Sequence, residues 1–480
     1  MKSTLLPVLL SVGIALASFG PNVRVDHVDR PECWCLNAAI TVDRASGDVY
    51  VVFEVDSIET LGGDIYFQKS TDVGQTWLAE DVLVRLGSPY ACGSDITADK
   101  NGNVYIAYCD WSKTMGGHVY CVRSSDGGAT WSTPGQVDDN GSGVYFGRAN
   151  LATDTAGRLL CAWNDTRLGG RHVWSSVSTD GGATWSANVR VCDDTSDGDC
   201  YTGDAFVQPG TNHYLVGADA PYAGRRAFLY RSTDMGQTFQ AGIQLDTFGA
   251  TSKPNVAADS QHIICVYTDR SGEYARTKVR ALYTLPDTWG PRSTVNDTDY
   301  NAYASQFALS PGGRVHVALM MNWLNGYYRP YYAVSTDYGV TWSRHELVSD
   351  DTTDEACYPA IDVDSAGHVY MVWQDWRTHR YAQIWFSTND PAGVAEQPAR
   401  QSVGVQPFAT VVRNVLFLVE RPDSSASTSS LLDISGRDVL DLKPGANDVR
   451  SLPPGVYFVR EQPQIASLRR PAVRKVMIAR

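Results

Sequence analysis

An eight-residue pattern, S-x-D-x-G-x-T-W, recurs along the chain at a spacing of 54 residues. Four copies begin at Ser70, Ser124, Ser178 and Ser232, the last with Phe239 in place of the Trp, and another copy begins at Ser335. In such a turn the Asp side chain accepts backbone N–H groups, and the Gly adopts the positive φ that a tight turn requires. Repeats of this length are typical of stacked supersecondary units, which here are the blades of a β-propeller.

Two degenerate copies extend the series, one ending in Thr288-Trp289 and one remaining as Ser387-Thr-Asn389-Asp390. The pattern resembles the Asp-box, or BNR, repeat of the sialidase-like superfamily. This resemblance implies a propeller in which each Asp-box lies between the two outer strands of a blade, on the face opposite the family's active site. The repeats therefore indicate a fold and leave the reaction open.

Each repeat also contains a strongly apolar run, such as Val49–Phe53, that suits a strand covered on both faces. We count seven units, with six as the alternative, and they start near residues 36, 90, 144, 199, 249, 301 and 356. The last unit stops after its third strand. Asn22-Val-Arg-Val copies the outer strand Asn188-Val-Arg-Val, so we expect the N-terminal segment to complete the last blade and leave no open edge. The predicted fold class is all-β, with an Asp-box propeller over residues 22–393.

The N-terminus has the features of a secretory signal peptide over residues 1–17. Lys2 precedes an apolar run from Leu5 to Leu16 that is too short to span a bilayer readily. A retained N-terminal anchor is the alternative. No later segment approaches membrane-spanning length, so we predict no transmembrane segment in the mature chain.

After a predicted linker over residues 394–410, a short β pattern occupies residues 411–480. It contains Leu432-Asp-Ile-Ser-Gly436-Arg437 and Leu452-Pro-Pro-Gly455-Val, and ends in Arg474-Lys-Val-Met-Ile478. These elements resemble the C-terminal sorting domain of type IX secretion substrates, a small Ig-like β-sandwich. The resemblance implies the type IX secretion machinery as a partner and a location that is secreted or on a bacterial cell surface. An ordinary accessory sandwich is the alternative.

The charge distribution narrows the class of binding partners, and the cysteine content bears on disulfide bonds. The net charge is −13 and the Lys and Arg residues are spread without a basic stripe, which disfavours nucleic-acid binding. Ten cysteines in an exported chain permit disulfides. Cys192 and Cys200 are the best local pair and Cys109 and Cys121 the next, whereas Cys161 and Cys265 are predicted to be buried thiols.

Residues that differ between equivalent inner-strand positions are the candidates for a ligand site at the propeller axis. They are Asp95, Arg148, Asp204, Lys253 and Tyr358, with a solvated channel lining as the alternative interpretation. Loop residues on the face opposite the Asp-boxes add possible ligand-binding side chains, namely Trp111, Trp323, Trp376, Arg167, Arg270 and Arg377.

The sialidase resemblance implies an arginine cluster that holds a carboxylate, a Tyr nucleophile activated by a Glu, and an acid/base Asp. Tyr358, Glu355 and Asp95 take these positions, and Arg148 and Asp204 complete the candidate catalytic set. The family's Phe/Tyr-Arg-Ile-Pro element is missing near the first inner strand, and Arg148 is the one inner-strand arginine.

An acidic loop contains Asp193, Asp194, Asp197 and Asp199, which could bind Ca²⁺ through several oxygen ligands. It lacks the EF-hand spacing, so a solvated loop is the alternative, and no other cofactor is predicted. The sequence thus supports three functions. The first is a surface-associated protein that binds glycans or glycoconjugates, the second a glycoside hydrolase of exo-sialidase type, and the third a structural or adhesive propeller.

Overall fold

The structure is a computed structural model. It describes residues 19–28, 33–57, 62–85, 90–112, 116–141, 147–154, 156–192, 199–220, 226–246, 251–284, 288–296, 300–322, 326–377, 381–390, 411–412, 415–418, 428–433, 437–443, 445–462 and 472–478. The predicted signal peptide and the predicted linker lie outside these residues. The chain divides into two compact units, Met1–Ala395 and Glu396–Arg480. In the described part of the chain, no helix has the length and apolarity to cross a membrane.

The described strands of the first unit form seven antiparallel sheets. A short N-terminal strand, β1 (Val23–Arg24), precedes them. The first sheet consists of β2 (Cys33–Val42), β3 (Val49–Ser57), β4 (Gly62–Ser70) and β5 (Val82–Arg85). The second consists of β6 (Tyr90–Ala98), β7 (Val104–Ser112), β8 (Gly116–Ser124) and β9 (Gly135–Gln136). The third consists of β10 (Asn150–Thr153), β11 (Leu159–Leu168), β12 (Gly170–Ser178) and β13 (Val189–Arg190).

The remaining sheets repeat this order. The fourth sheet consists of β14 (Tyr201–Val207), β15 (Tyr214–Ala220), β16 (Arg226–Ser232) and β17 (Ile243–Gln244). The fifth consists of β18 (Thr251–Ala258), β19 (His262–Asp269), β20 (Arg276–Tyr283), β21 (Thr288–Trp289) and β22 (Ser293–Thr294). The sixth consists of β23 (Ala302–Ser310), β24 (Arg314–Met321), β25 (Arg329–Ser335) and β26 (Glu346–Leu347). The seventh contains β27 (Ala356–Val363), β28 (Val369–Asp375) and β29 (Gln383–Thr388).

The sheets follow one another around a common axis. The first strand of each sheet contacts the first strand of the next, in the order β2, β6, β10, β14, β18, β23 and β27, and β27 contacts β2. Buried apolar side chains fill the spaces between neighbouring sheets, as in the cluster that joins Phe53 of the first sheet to Val372 and Phe386 of the seventh. The predicted fold class, an all-β propeller, is confirmed.

The N-terminal segment supplies the outer strand of the seventh sheet. β1 pairs antiparallel with β29, with Val23 opposite Phe386 and Arg24 opposite Trp385. The backbone N–H of Val25 also donates to the carbonyl of Ile384 at 2.8 Å. The pairing of β1 with β29 confirms the prediction that the N-terminal Asn-Val-Arg-Val segment completes the last blade.

The Asp-box turns share one hydrogen-bond pattern. In the first copy, Asp72 Oδ1 accepts from the N–H of Thr76 at 2.8 Å, and Asp72 Oδ2 accepts from the Thr76 hydroxyl at 2.6 Å. Gly74 has a φ of +83°, as predicted, and a Cβ there would also lie 2.0 Å from the ring of Phe386. The glycine is therefore required both by the turn and by the close approach of the neighbouring sheet.

Two of the Asp-box tryptophans pack against the neighbouring sheet. The ring of Trp131, in the second sheet, lies 5.2 Å edge-on from Phe67 of the first. The ring of Trp77 lies 5.3 Å from Phe386 of the seventh. Since edge-to-face aromatic pairs add to the stability that buried area gives, these side chains join one blade to the preceding one.

Cysteines of the first unit are mostly inside it. Cys161 and Cys265 are buried thiols, as predicted. Cys109 lies directly opposite Cys92 across the strand pair, whereas Cys121 lies opposite Ala107. Cys109 and Cys121 are therefore offset along the hairpin.

The second unit contains two sheets among its described residues. The larger is formed by β30 (Val411–Val412), β32 (Thr428–Leu432), β33 (Asp438–Leu442), β35 (Gly455–Gln462) and β36 (Ala472–Ile478), and the smaller by β31 (Val415–Leu418) and β34 (Gly445–Asp448). Leu416 of the smaller sheet shares a buried cluster with Leu431 and Val459 of the larger. Two sheets with a common core make this unit a small β-sandwich.

Candidate functional site at the propeller axis

Most inner strands are irregular at the axis. Their pairing shifts between Leu36 and Ala39, Cys92 and Asp95, Thr202 and Asp204, Ser252 and Asn255, Ala304 and Gln306, and Cys357 and Ala360. A bulge of this kind bends a strand and changes the direction of its side chains. Here the bulges recur at one level of the propeller, so the altered side chains meet at the axis.

These side chains line one cavity of about 200 Å³, which we call the hub cavity. All seven inner strands, or the residues just before them, contribute to it. Its walls are formed by Asn37, Ala38, Asp95, Arg148, Asn150, Thr202, Gly203, Asp204, Asn255, Gln306, Tyr358, Pro359 and Ala360. The structure therefore brings together four of the five predicted catalytic residues.

Five non-glycine residues of the described chain have a positive φ, and two of them lie at this level, whereas the other three lie in Asp-box turns. Asn37, Gly93 and Tyr358 occupy equivalent bulge positions and have φ values of +49°, +62° and +51°. The left-handed region costs an L-residue about 1–2 kcal/mol, and it is rare for a bulky one. Tyr358 adopts this conformation although its side chain is 48% exposed. Backbone strain that side-chain packing does not offset is typical of functional positions.

Carboxylate and amide side chains of the hub tie neighbouring inner strands together. Asp95 Oδ2 accepts from the N–H of Leu151 at 2.8 Å, and Asp204 Oδ2 accepts from the N–H of Val256 at 3.1 Å. Asp95 and Asp204 thus have a structural role in addition to facing the cavity. In each case one carboxylate oxygen is held by the next sheet.

The hub carboxyls are electrostatically unusual. Desolvation raises the pKa of Asp204 to about 7, with the nearby charge of Asp95 acting in the same direction. Burial also raises the pKa of Asp95, and the Arg148 guanidinium opposes the shift at both groups. A carboxyl with a pKa near neutrality exists in both protonation states at physiological pH, so it can donate or accept a proton.

Asn150 was missed by the sequence analysis. Its side chain is 4% exposed and lines the hub cavity, and its Nδ2 has no hydrogen-bond partner among the described residues. In the strand pairing, Asn150 lies opposite Ala162 just as Asp95 lies opposite Ala107. Aligning the repeats on their second strands would have revealed this position. A buried amide without a partner costs free energy, which a bound acceptor oxygen would restore.

Glu54 was missed as well, because it follows an apolar run and looks like the end of a core strand. Its carboxylate accepts from the N–H of Gly93 at 2.6 Å and from Nδ2 of Asn37 at 3.0 Å. Burial raises the pKa of Glu54 to about 7. The side chain holds two of the left-handed bulges, and Asn37 in turn lines the cavity.

A second group of side chains lies near Tyr358 without lining the cavity. The Arg270 guanidinium lies 5.1 Å from the Tyr303 ring, which lies 6.0 Å from the Tyr328 ring. The charge of Glu355 contributes to raising the pKa of both Tyr328 and Tyr358, after desolvation. Glu355, predicted as the partner of the tyrosine, is therefore close enough to influence it electrostatically.

Trp376 is tied to this group through the backbone, since its N–H donates to the carbonyl of Glu355 at 3.0 Å. Trp323, Asp193, Asp194 and Asp197 lie outside the described residues, as do the side chains of Trp111 and Lys253. Asp199 accepts from the N–H of Arg171 at 3.0 Å and from the Tyr201 hydroxyl at 3.2 Å.

Arg167 and Arg377 lie outside the hub cavity. Nη2 of Arg167 donates to Asp165 at 2.7 Å, and Nη2 of Arg377 donates to Asp375 at 2.7 Å. Each guanidinium also contacts a neighbouring sheet and lies against a tryptophan ring. Among the described residues that line the cavity, Arg148 is therefore the one arginine.

Comparison with known proteins supports the repeat assignment. Residues 64–371 match the BNR repeat-like domain family. No curated protein matches the chain in sequence.

Solved structures share the fold at low sequence identity. A PL25 ulvan lyase bound to -[GlcA(1-4)Rha3S]- has a TM-score of 0.52 and 11% identity, over 77% of this chain and 94% of its own. A protein of unknown function from Dyadobacter fermentans has a TM-score of 0.50 and 15% identity, over 78% and 99%. A Hadza microbial sialidase has a TM-score of 0.44 and 14% identity, over 71% and 76%. At these identities the likeness to the lyase and to the Dyadobacter fermentans protein establishes the fold alone.

Proposed function

The chain belongs to the BNR repeat-like domain family, and from this premise we propose that it is a secreted propeller protein that binds a saccharide in its hub cavity. The observation that carries the proposal is the convergence of all seven inner strands on a cavity containing Arg148, Asn150 and two carboxyls. A sugar unit presents hydroxyl oxygens in several directions, and this wall offers both donors and acceptors to them.

The aromatic ring of Tyr358 favours the same ligand class. It is 48% exposed at the cavity, where a tyrosine face can pack against the apolar face of a sugar ring. The cavity volume of about 200 Å³ is below the roughly 300–1,000 Å³ of sites for drug-sized ligands. We therefore propose that a terminal saccharide unit enters the cavity while the rest of the glycan lies outside. The ulvan lyase of the same fold also holds a saccharide.

The test is binding of the full chain to an immobilised panel of neutral and acidic glycans. We expect retention of at least one glycan class, and a drop in affinity of about tenfold or more for Arg148→Ala and Asn150→Ala, since each removes a donor from the cavity. Arg344→Ala, an exposed arginine away from the cavity, is the matched control and should bind as the unmodified chain does. Absence of binding to every glycan, or hub variants that bind normally, would refute the proposal.

Glycoside hydrolysis is a second candidate, and the raised pKa of Asp204 in a cavity that the strained Tyr358 also lines favours it. In this proposal Tyr358 is the nucleophile and Asp95 or Asp204 is the acid/base. The described cavity wall has a single arginine, so a substrate carboxylate would be held by Arg148 rather than by three converging arginines. Turnover of a fluorogenic glycoside panel between pH 5 and 8 tests it. Tyr358→Phe should abolish any turnover, and activity retained by that variant would exclude this mechanism.

Export is part of the proposal, and it rests on the apolar N-terminal run and on the sorting-domain resemblance of residues 411–480. Expression of the full chain in a bacterium with type IX secretion should yield protein at the cell surface or in the medium, shortened by about the length of the signal peptide. Deletion of residues 411–480 should retain the protein in the periplasm. Secretion that is unaffected by the deletion would favour an ordinary accessory sandwich.

A further inference from the structure

Two thiols and an imidazole form a buried cluster between the third and fourth sheets. Cys192 follows β13, Cys200 precedes β14, and His172 lies on β12. Their exposed fractions are 1%, 0% and 5%. The two sulfur atoms and a ring nitrogen of His172 lie within 4.8 Å of one another. None of the three residues lines the hub cavity, so the cluster is independent of the proposed saccharide site.

The surroundings of Cys192 favour a sulfur anion. The N–H of Val173 donates to its Sγ at 3.4 Å, and Nδ1 of His172 lies 3.9 Å from the same sulfur. The hydrogen bond from Cys200 lowers the pKa of the Cys192 thiol most, against the effect of burial, and Val173, His172 and Arg190 lower it further. The surroundings of Cys192 thus favour its deprotonation.

A metal ion and a disulfide are the two chemistries open to such a cluster. Arg190 discriminates between them, because its Nη2 lies 3.1 Å from Nδ1 of His172. A metal ion bound to that nitrogen would face a guanidinium at close range, and like charges at this distance repel strongly where solvent is excluded. The same guanidinium stabilises a thiolate, which is the nucleophile in disulfide formation. The charge arrangement therefore favours sulfur chemistry over metal binding.

We propose that Cys192 and Cys200 form a disulfide bond during folding, with Cys192 as the attacking sulfur. The oxidant is a protein or small-molecule disulfide. The Cys192 thiolate attacks one of its sulfurs, the bond between the two oxidant sulfurs breaks, and one half leaves as a thiolate. Cys200 then gives its proton to solvent and attacks Sγ of Cys192, and the other half leaves as a thiolate. Two thiols become one disulfide, and the oxidant disulfide is reduced to two thiols.

The bond would join the end of one sheet to the start of the next. Cys200 already donates its N–H to the carbonyl of Arg171 at 2.8 Å, which places it beside β12. The cavity-lining residues Thr202, Gly203 and Asp204 follow within four positions. The disulfide would therefore fix the strand that carries one wall of the hub cavity. Burial of both sulfurs protects the bond from reduction once it has formed, because exchange requires access to a sulfur.

Peptide mapping of the full chain, produced by export into an oxidising compartment, tests the proposal. A protease that cleaves before Asp cuts between the two cysteines, since Asp193, Asp194, Asp197 and Asp199 all lie there. Without reductant, we expect the Cys192 and Cys200 peptides to remain joined, with a mass about 2 Da below their sum. Addition of reductant should separate them. The double variant C192S/C200S should yield no joined species.

Two outcomes would overturn the proposal. One is alkylation of both cysteines in the unreduced, denatured chain. The other is zinc bound at one equivalent and lost on substitution of either cysteine. Glycan binding and thermal unfolding of the C192S/C200S variant report whether the propeller still forms. A variant that fails to fold can therefore be distinguished from one that folds without the disulfide.

The role of Arg190 has its own test. Hydrogen bonds, led by the one from Cys200, lower the pKa of the Cys192 thiol to about 5, so the comparison is made at about pH 4, where the thiolate fraction limits the rate. After reduction and removal of reductant, Arg190→Gln should then re-form the joined species with oxidised glutathione more slowly. The rate should fall about threefold for each unit by which the pKa of Cys192 rises, because nucleophilicity partly compensates for the smaller thiolate fraction. Arg344→Gln, exposed and distant in sequence, is the control and should re-form the bond at the unmodified rate. An equal rate for Arg190→Gln would exclude Arg190 as the activating group.

Discussion

Nη2 of Arg377 donates to Oδ1 of Asn22 at 3.0 Å, a contact between residues 355 positions apart in the chain. The same guanidinium contacts Asp375 at 2.7 Å and, through Nη1, Asp350 at 2.7 Å. The backbone N–H of Asp350 donates to Asn22 Oδ1 at 2.7 Å. One arginine thus connects the sixth sheet, the seventh sheet and the N-terminal strand that completes it.

An internal copy of this arrangement occurs where no closure is needed. Arg167 contacts Asp165, Asp139 and Asn188 at 2.7, 2.9 and 3.0 Å. Its guanidinium lies 4.1 Å from the centroid of the Trp174 ring, and the Arg377 guanidinium lies 3.8 Å from the centroid of the Trp385 ring. The two arginines therefore make equivalent contacts. They differ in that the outer strand beside Arg167 follows the other strands of its sheet in the chain, whereas the outer strand beside Arg377 comes from the N-terminal segment.

This pair gives the first prediction. Arg377→Ala and Arg167→Ala each leave a fully buried aspartate without its guanidinium, so each should lower the free energy of unfolding by about 3 kcal/mol. Arg377→Ala should in addition release the N-terminal strand. Limited proteolysis under native conditions should then cut within residues 19–28 of Arg377→Ala well before it does so in Arg167→Ala. Equal protection of the N-terminal strand in the two variants would show that β1 is held by its ladder alone.

Much of this closure could be predicted from the sequence, because an outer strand and its asparagine recur as Asn188 and Asn22. The same comparison of repeats located the hub, since Arg148, Asp204 and Tyr358 differ from their equivalents in other blades and do line one cavity. Residues that differ between otherwise similar repeats are easy to recognise. When they occupy the same level of the inner strands, the ring brings their side chains together at the axis.

Other features depend on contacts between blades, which spacing does not encode. Glu54 acts on Gly93 in the next sheet, and Trp131 packs on Phe67 in the preceding one. Asn150 lies opposite Ala162 as Asp95 lies opposite Ala107, and its burial at the cavity follows from strand pairing that spacing alone does not give. The local sequence pattern therefore predicts the strands and turns of a single blade. Which residues of neighbouring blades contact one another becomes known only from the closed ring.

Glu54 gives the second prediction, which concerns pH. Its folded-state pKa of about 7 lies above the value of about 4.3 expected in the unfolded chain. The stability that its neutral form contributes is therefore fully present below about pH 4 and is lost as the pH rises through about 7. The loss should reach about 3 kcal/mol when the group is ionised in the folded protein. Urea unfolding between pH 4 and 8 measures it.

Glu54→Gln is the comparison variant, because the amide can still accept from Gly93 and cannot ionise. Its unfolding free energy should vary less between pH 4 and 8 than that of the unmodified chain, by about the same 3 kcal/mol. Asp204→Asn reports separately on the second raised carboxyl of the hub. A pH dependence unchanged in Glu54→Gln would mean that other groups govern stability in this range.

Tyr358 gives the third prediction, a gain of stability with a loss of binding. Replacing it by glycine removes the cost of a φ of +51°, and the half-exposed side chain gives up little packing, so the free energy of unfolding should rise by about 1 kcal/mol. Saccharide binding should weaken, as is usual where function maintains a strained residue. Tyr358→Phe keeps both ring and strain and should not show this gain in stability. Destabilisation of Tyr358→Gly would indicate that the tyrosine is held there by packing.

The last prediction concerns the single arginine of the hub cavity. Arg148 lowers the pKa of Asp95 and Asp204 against the desolvation that raises them, so Arg148→Met should raise both further. For Asp204, the midpoint of the ¹³C-carboxyl titration should move from about 7 to a higher pH, a measurement that needs no ligand. Arg344→Met should leave it in place. Because a neutral Asp204 donates a hydrogen bond where an ionised one accepts, the same change should extend the hub's donor character to higher pH. If the midpoint stays fixed in Arg148→Met, the guanidinium is too solvated to act on Asp204, and its contribution to a ligand would be limited to direct contact.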